Sequence, residues 1–115
     1  MTDKVEFEKA TQLFEDCSPV FIALGDPIRQ KLILDLAEAT INEKSLSVAD
    51  LTRLTHLSRP AVSHHLKILK TSGIIEPLKV GTQIFYRLNL LDRVKEVKVL
   101  IAQIEKILSA IKVQK

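Results

Sequence analysis

The chain has 115 residues, 46% hydrophobic and 27% charged, a composition that points to a folded globular protein and not to disorder, and leaves room for one domain, residues 1–115, with a modest core. Its net charge is only +3, but the charge is unevenly placed: residues 1–16 sum to −3, residues 17–50 to −2, and the basic excess begins after Asp50. One cysteine, Cys17, excludes an intrachain disulfide, the charged N-terminus does not read as a signal peptide, and no apolar run approaches the roughly 18 residues of a membrane span, so the expectation is a cytoplasmic protein.

Taken in order, residues 5–17 form an amphipathic helix in which Phe7, Ala10, Phe14 and Cys17 follow a three-four-three spacing. Ser18-Pro19 is expected to interrupt it, with Val20–Leu24 as a short apolar continuation. Gly25-Asp26-Pro27 resets the chain, Asp26 as N-cap and Pro27 as first helical residue. The next helix runs from about Pro27 to Ala39, with Ile28, Leu32, Ile33 and Leu36 inside and Arg29, Gln30, Lys31 and Asp35 outside. Thr40–Leu46 reads as a polar loop. Ser47 caps a short helix over Val48–Thr55, Asp50 completing a weak capping box and Val48, Leu51 and Leu54 forming the buried stripe.

His56-Leu57 then link to the stretch around which the chain is organised, Ser58 to Lys70. Ser58 is its N-cap, and Pro60 is tolerated in the first turn, where its missing N–H would have no partner. With Val62 at zero on a helical wheel, Leu66 and Leu69 fall within about 40° of it. Pro60, Ser63, His64, Lys67 and Lys70 project from the other side. Between Leu51 and Ile75 there are four basic residues, three histidines and no Asp or Glu. A groove-facing surface requires that, because phosphate repels carboxylates. Helix, short turn and a second helix with a polar outer face make the helix-turn-helix layout.

Gly73 follows as a left-handed C-cap. Ile74–Leu78 and Gln83–Leu88 read as two strands around Lys79–Thr82, with Gly81 supplying the positive φ of a hairpin tip. A hairpin after a recognition helix is a wing. The last helix spans roughly Leu91 to Val113. Leu90, Val94, Val97, Ile101, Ile104, Leu108 and Ile111 repeat by four and three as a heptad seam, widened by Leu100 and Ile107. Such a seam predicts a homodimer shared with the N-terminal helix, which would present two recognition helices to a site of inverted symmetry. The fold expected is therefore mainly α with a small β-hairpin wing: a winged helix-turn-helix, dimeric through its terminal helices.

From Phe21 to about Leu91 the chain resembles the ArsR/SmtB family of bacterial winged-helix repressors. Three stretches carry the resemblance: Ala23-Leu24-Gly25-Asp26-Pro27-Ile28-Arg29, Leu57 to Leu69, and Gly73-Ile74-Ile75 leading to Gly81 and Phe85-Tyr86-Arg87-Leu88. The resemblance implies a homodimer whose operator binding represses transcription until a signal releases it. Metal-sensing members carry a Cys-x-Cys pair on the helix before the recognition helix, where Ser47 and Ala49 stand here. Others use Asp-x-His and His-x-x-Glu or His-x-x-His pairs on the dimer helix. Asp92-Arg93-Val94 lacks the His and Glu105-Lys106-Ile107-Leu108 lacks the second pair, so no metal ligands and no cofactor are expected.

The expected DNA contacts are Ser58, Arg59, Pro60, Ser63, His64, Lys67 and Lys70 on the recognition helix and Lys79, Thr82, Gln83 and Arg87 on the wing. Arg59 suits a guanine or a phosphate, Ser63 a base or a phosphate, His64 a base edge and Lys67 a phosphate. His65 lies at the rim of the buried face and reads as a packed or phosphate-touching residue. His56, His64 and His65 are a poor metal cluster, because adjacent histidines point about 100° apart. Cys17 reads as a packed interface residue, its thiolate opposed by Glu15 and Asp16. No nucleophile elbow, phosphate loop or His-Glu metal motif supports an enzyme. The partners expected are double-stranded operator DNA, a second copy of the chain and an unidentified small-molecule or ion effector. A winged-helix protein-interaction module, and a metal sensor with atypical ligands, are the competing readings.

Overall fold

A computed structural model describes residues 2–111. It is mainly helical: α1 (Thr2–Leu24), α2 (Pro27–Ile41), α3 (Val48–Thr55), α4 (Arg59–Thr71) and α5 (Leu91–Ser109), with short strands β1 (Leu46–Ser47), β2 (Ile75–Val80) and β3 (Gln83–Leu88). The chain divides into two compact units. One runs from Pro19 to Leu90; the other joins α1 up to Ser18 with the segment from Leu91 onward.

The unit from Pro19 to Leu90 holds most of the core. Val20, Ala23, Leu32, Ile33, Leu36, Leu51, Val62, Leu66, Leu69, Ile74 and Ile75 are all buried. Its helices start where the local chemistry says they should. The Asp26 carboxylate accepts from the N–H groups of Ile28 and Arg29, and Pro27 is the first residue of α2. Ser47 and Asp50 form the reciprocal capping box, with bonds of 2.9 and 3.1 Å. At the end of α4, Ile74 N–H reaches Leu69 O and Gly73 N–H reaches Lys70 O, the Schellman pair, with Gly73 at φ 79°.

Several expectations are corrected. Ser18-Pro19 does not interrupt α1, which continues to Leu24 with Pro19 inside it. Proline deprives only the Glu15 carbonyl of its donor, and Glu15 is exposed, so water can serve that carbonyl. α2 extends two residues past Ala39, and Leu46 belongs to β1, so the loop is shorter than Thr40–Leu46. β1 pairs antiparallel with β3, Leu46 opposite Tyr86 and Ser47 opposite Phe85, giving a three-stranded sheet of order β1-β3-β2. A two-residue strand has no periodicity to read. The hairpin turn is only Gly81-Thr82, since Lys79 and Val80 pair with Ile84 and Gln83. Gly81 stands at φ 63°. Ile28 and Leu54 are exposed instead of buried.

The largest correction is Arg29. It was expected outside but is 9% exposed. Its Nε donates to Ala23 O and its Nη2 to Ile22 O, each at 2.9 Å, while Gln30 Nε2 donates to Leu24 O at 2.8 Å. The last carbonyls of α1 have no partners within their own helix, and a buried guanidinium supplies donors and favourable charge at that negative helix end. Nη1 lies 3.2 Å from His65 Nδ1 on α4. Position supports this placement: Arg29, Leu32, Ile33 and Leu36 share one helical stripe.

In the other unit, α1 and α5 pack around a small interior. Ala10, Cys17 and Leu100 are its buried residues. Gln103 Nε2 donates to the Glu6 backbone and carboxylate, and Lys106 pairs with Glu6 at 2.9 Å. The expected stripes are only partly covered. Phe7 and Phe14 are 56% and 48% exposed, and of the heptad seam Val94, Ile101, Leu108 and Ile111 are exposed while Val97 and Ile104 are half-buried. Leu100, expected at the margin, is the buried centre. α5 ends at Ser109, and Val113 lies outside the described residues.

Two outcomes follow. Arg29→Met should destabilise the protein by about 2–4 kcal/mol, because two helix-end carbonyls and His65 lose their donor. Urea unfolding would show a lower midpoint at unchanged slope; an unchanged midpoint would mean that water replaces the guanidinium. The Asp26 carboxyl is held below its ordinary range, chiefly by the Arg29 N–H, and that of Asp50 chiefly by the Ser47 N–H. A carboxyl depressed in the folded state stabilises above its unfolded pKa, about 3.9, and that contribution is lost as pH falls through the folded value. Asp26→Asn keeps a good N-cap but cannot ionise. Its urea midpoint should therefore fall less steeply than the wild type's between pH 5 and pH 3.

Candidate nucleic-acid interface

α3 and α4 are joined by a turn built on His56, which takes the left-handed conformation at φ 60° and donates its N–H to Thr52 O at 2.9 Å. Ser58 then opens α4, its hydroxyl oxygen accepting from Ala61 N–H at 3.3 Å. With Val62, Leu66 and Leu69 buried, the opposite side is committed to solvent: Ser58, Arg59, Pro60, Ser63, His64, Lys67 and Lys70 are all exposed. None of Arg59, Lys67 or Lys70 makes an ion pair among the described residues. Their charge is free for an anionic partner, and no carboxylate stands on this helix to repel one.

The two adjacent histidines separate as their spacing requires. Their rings meet edge to face, 5.7 Å apart at 63°. His64 faces outward, whereas the His65 side chain is 14% exposed and turned to the Arg29 guanidinium, with Asp26 Oδ2 at 3.9 Å. An arginine donor makes Nδ1 the acceptor, so the neutral ring carries its hydrogen on Nε2. Asp26 thus caps α2 and lies near both groups that tie α4 to α1. His65 is a packed residue that helps set the position of α4.

The wing carries less free charge than its sequence suggests. Lys79, Thr82 and Gln83 are exposed at and beside the turn. Arg87 is exposed too, but it faces Glu76 across the β2–β3 pair and is ion-paired with it. Leu78, Val80 and Ile84 are exposed apolar residues on the same hairpin. Lys79 makes no ion pair among the described residues.

Sequence reasoning missed Arg29 as a positioning residue and Glu76 as the partner of Arg87. Both had signals: Arg29 shares the buried stripe, and Glu76 stands opposite Arg87 once the hairpin turn is set at Gly81-Thr82. Ser47, at a position where metal-sensing relatives place a thiolate, serves as the α3 cap. Cys17 is fully buried within its own chain. Burial pushes its thiol up, and Glu96 and Asp16 push it further.

The pattern described as "Bacterial regulatory protein, arsR family" matches residues 26–76, which covers α2 through α4 and the start of β2. An HTH-type transcriptional regulator of Methanocaldococcus jannaschii is 38% identical over 73% of this chain and 89% of its own length. The transcriptional repressor SdpR of Bacillus subtilis is 39% identical over 61% of this chain and 72% of its own. Among solved structures, an ArsR-like transcriptional regulator from Rhodococcus superposes with a TM-score of 0.73 at 30% identity, covering 89% of this chain and 92% of that one. The chain belongs to the ArsR family of bacterial regulatory proteins, and it is a winged helix-turn-helix DNA-binding transcriptional regulator, not an enzyme.

Proposed function

We propose that the protein works in the cytoplasm as a homodimeric repressor, with α4 of each protomer in a major groove of an inverted-repeat operator. The observation that carries this is the acid-free exposed face of α4 set directly opposite its buried stripe. Arg59, Ser63 and His64 take base edges or nearby phosphates, and Lys67 and Lys70 take phosphates, with Ser58 and Pro60 at the helix start against the backbone. Lys79, Thr82 and Gln83 give the wing a lighter contact. Arg87, already paired with Glu76, adds little.

The dimer is supported by what the α1–α5 unit leaves uncovered. Its interior is three small or medium side chains, while Phe7 and Phe14 recur by seven on α1 and Val94, Ile101 and Leu108 recur by seven on α5, all exposed. Contiguous apolar stripes of this kind mark association surfaces. A second copy is the occupant that also accounts for two-fold DNA recognition.

Duplexes selected from random sequence by the purified protein should converge on two half-sites in inverted order. Lys67→Ala should weaken binding evenly across sequences and reduce the salt slope of log K by about one per recognition helix, whereas His64→Ala should relax base preference at one position of each half-site. Fluorescence anisotropy at several salt concentrations separates the two; a flat salt dependence for the wild type would overturn the groove assignment. Phe14→Glu combined with Ile101→Glu should sediment as a monomer in analytical ultracentrifugation while retaining helical circular dichroism. A dimer persisting in that variant would move the interface elsewhere.

A further inference from the structure

Within the Pro19–Leu90 unit, a cavity of about 420 Å3 lies between the last turns of α1 and the outer side of α4. Its lining is almost wholly apolar: Pro19, Ile22 and Ile68 supply walls, and His64, Lys67 and Thr71 border it chiefly with their carbon atoms. Ile22 is 65% exposed, a large aliphatic side chain left to solvent beside a face otherwise polar and basic. No carboxylate lines the cavity, and Lys67 has no ion pair among the described residues. The volume falls in the range of about 300–1,000 Å3 typical of small-molecule sites, which combine apolar walls with a few placed polar groups. DNA contact explains His64 and Lys67. It does not explain why an apolar hollow opens between them and α1.

We propose that this cavity is the signal site of the regulator and that its ligand is an amphipathic organic anion. An aliphatic or aromatic body would lie against Pro19, Ile22 and Ile68. A carboxylate at its mouth would meet the exposed Lys67 ammonium, whose stem borders the apolar lining. The charge selects the sign of the ligand: a cation placed here would meet Lys67 with no acid to offset it. The consequence is direct competition. His64 and Lys67 are groove contacts in the proposed function, on which this inference rests, so ligand and DNA claim the same two side chains. At a ligand concentration ten times its dissociation constant, the DNA affinity of each head should fall about tenfold.

The test uses the full-length protein and decanoate at sub-micellar concentration, with decanol as the uncharged comparison. In 15N-labelled protein followed by NMR, decanoate should shift the amides of Ile22, His64, Ile68 and Thr71 saturably, and decanol should bind more weakly. Ile22→Ser alters an exposed residue and should lower decanoate affinity about fivefold or more. Lys67→Met should lower it up to about fivefold and remove the preference over decanol. In anisotropy with a selected duplex, decanoate should displace wild-type protein, while Ile22→Ser should bind the duplex normally and resist decanoate. Saturable shifts at Phe7, Phe14 or Ile101 instead, no saturable shift, or equal binding of decanol would overturn the site. Binding at the cavity without displacement of DNA would overturn the signalling role. Failure to bind any duplex before decanoate is added would count against the DNA reading alone, and the NMR titration would still decide the cavity.

Discussion

The Arg29 guanidinium is the interaction on which the packing of α2, α4 and the last turn of α1 depends. One side chain donates to two carbonyls at the end of α1 and to the His65 ring on α4, and its own backbone N–H completes the Asp26 cap that starts α2. Three helices are thereby referred to one cation. A helix end buried without donors is costly, and a buried guanidinium without acceptors is costlier still. Each need is met by the other. The result is a defined seat for α4 beside α2 and the last turn of α1, which aliphatic packing by Val62, Leu66 and Leu69 alone would leave less defined, because apolar contacts are not directional.

That anchoring lets α4 divide its labour sharply. The buried stripe is entirely aliphatic, and His65 at its rim is held by hydrogen bonding, so nothing on the outer face is needed for stability apart from the Ser58 cap. Arg59, Ser63, His64, Lys67 and Lys70 are then free to be chosen for the surface they meet. The wing is under a different constraint. Its hairpin is stabilised partly by the Glu76–Arg87 pair, and a cation used across the sheet is largely unavailable to phosphate. In the proposed mode of binding, the free cations are therefore those of α4 and Lys79 of the wing, not Arg87.

The sequence was legible where the determinants are local. Asp26-Pro27, Ser47 with Asp50, Ser58 with Pro60, and Gly73 each satisfy groups within a few residues of themselves, and every one stands where it was expected. The exposed polar and basic residues of α4 followed from the same helical wheel that found Val62, Leu66 and Leu69. What was not legible depends on partners distant in sequence. Arg29 reads as surface charge until the end of α1 is known to lie against it. β1 is two residues long and exists only because β3 offers it an edge. Pro19 signals a break, yet its helix continues, the one carbonyl it leaves without a donor belonging to the exposed residue Glu15. The aliphatic repeat of α5 was visible, but only Leu100 at its margin is buried; Leu90, Val97, Ile104 and Ile107 are half-buried, and Val94, Ile101, Leu108 and Ile111 remain exposed.

The same local chemistry bears on how a signal could enter. Ser47 does two structural jobs: its hydroxyl and backbone form the α3 capping box with Asp50, and it is a paired residue of β1. A thiolate there would have to give up the cap, so this position is committed to holding the helix-turn-helix together. Asp92 sits in the first turn of α5, where an acid complements the helix end, and Glu105 is exposed on the same helix. The one thiol, Cys17, is buried and pushed up by its surroundings, the opposite of what a metal-binding or redox-sensing sulfur requires. Ser47, Asp92 and Cys17 thus each have a structural place, whereas Glu105 is simply exposed. The apolar hollow beside Lys67 carries no such task, and it adjoins His64 and Lys67, which the proposed function assigns to DNA.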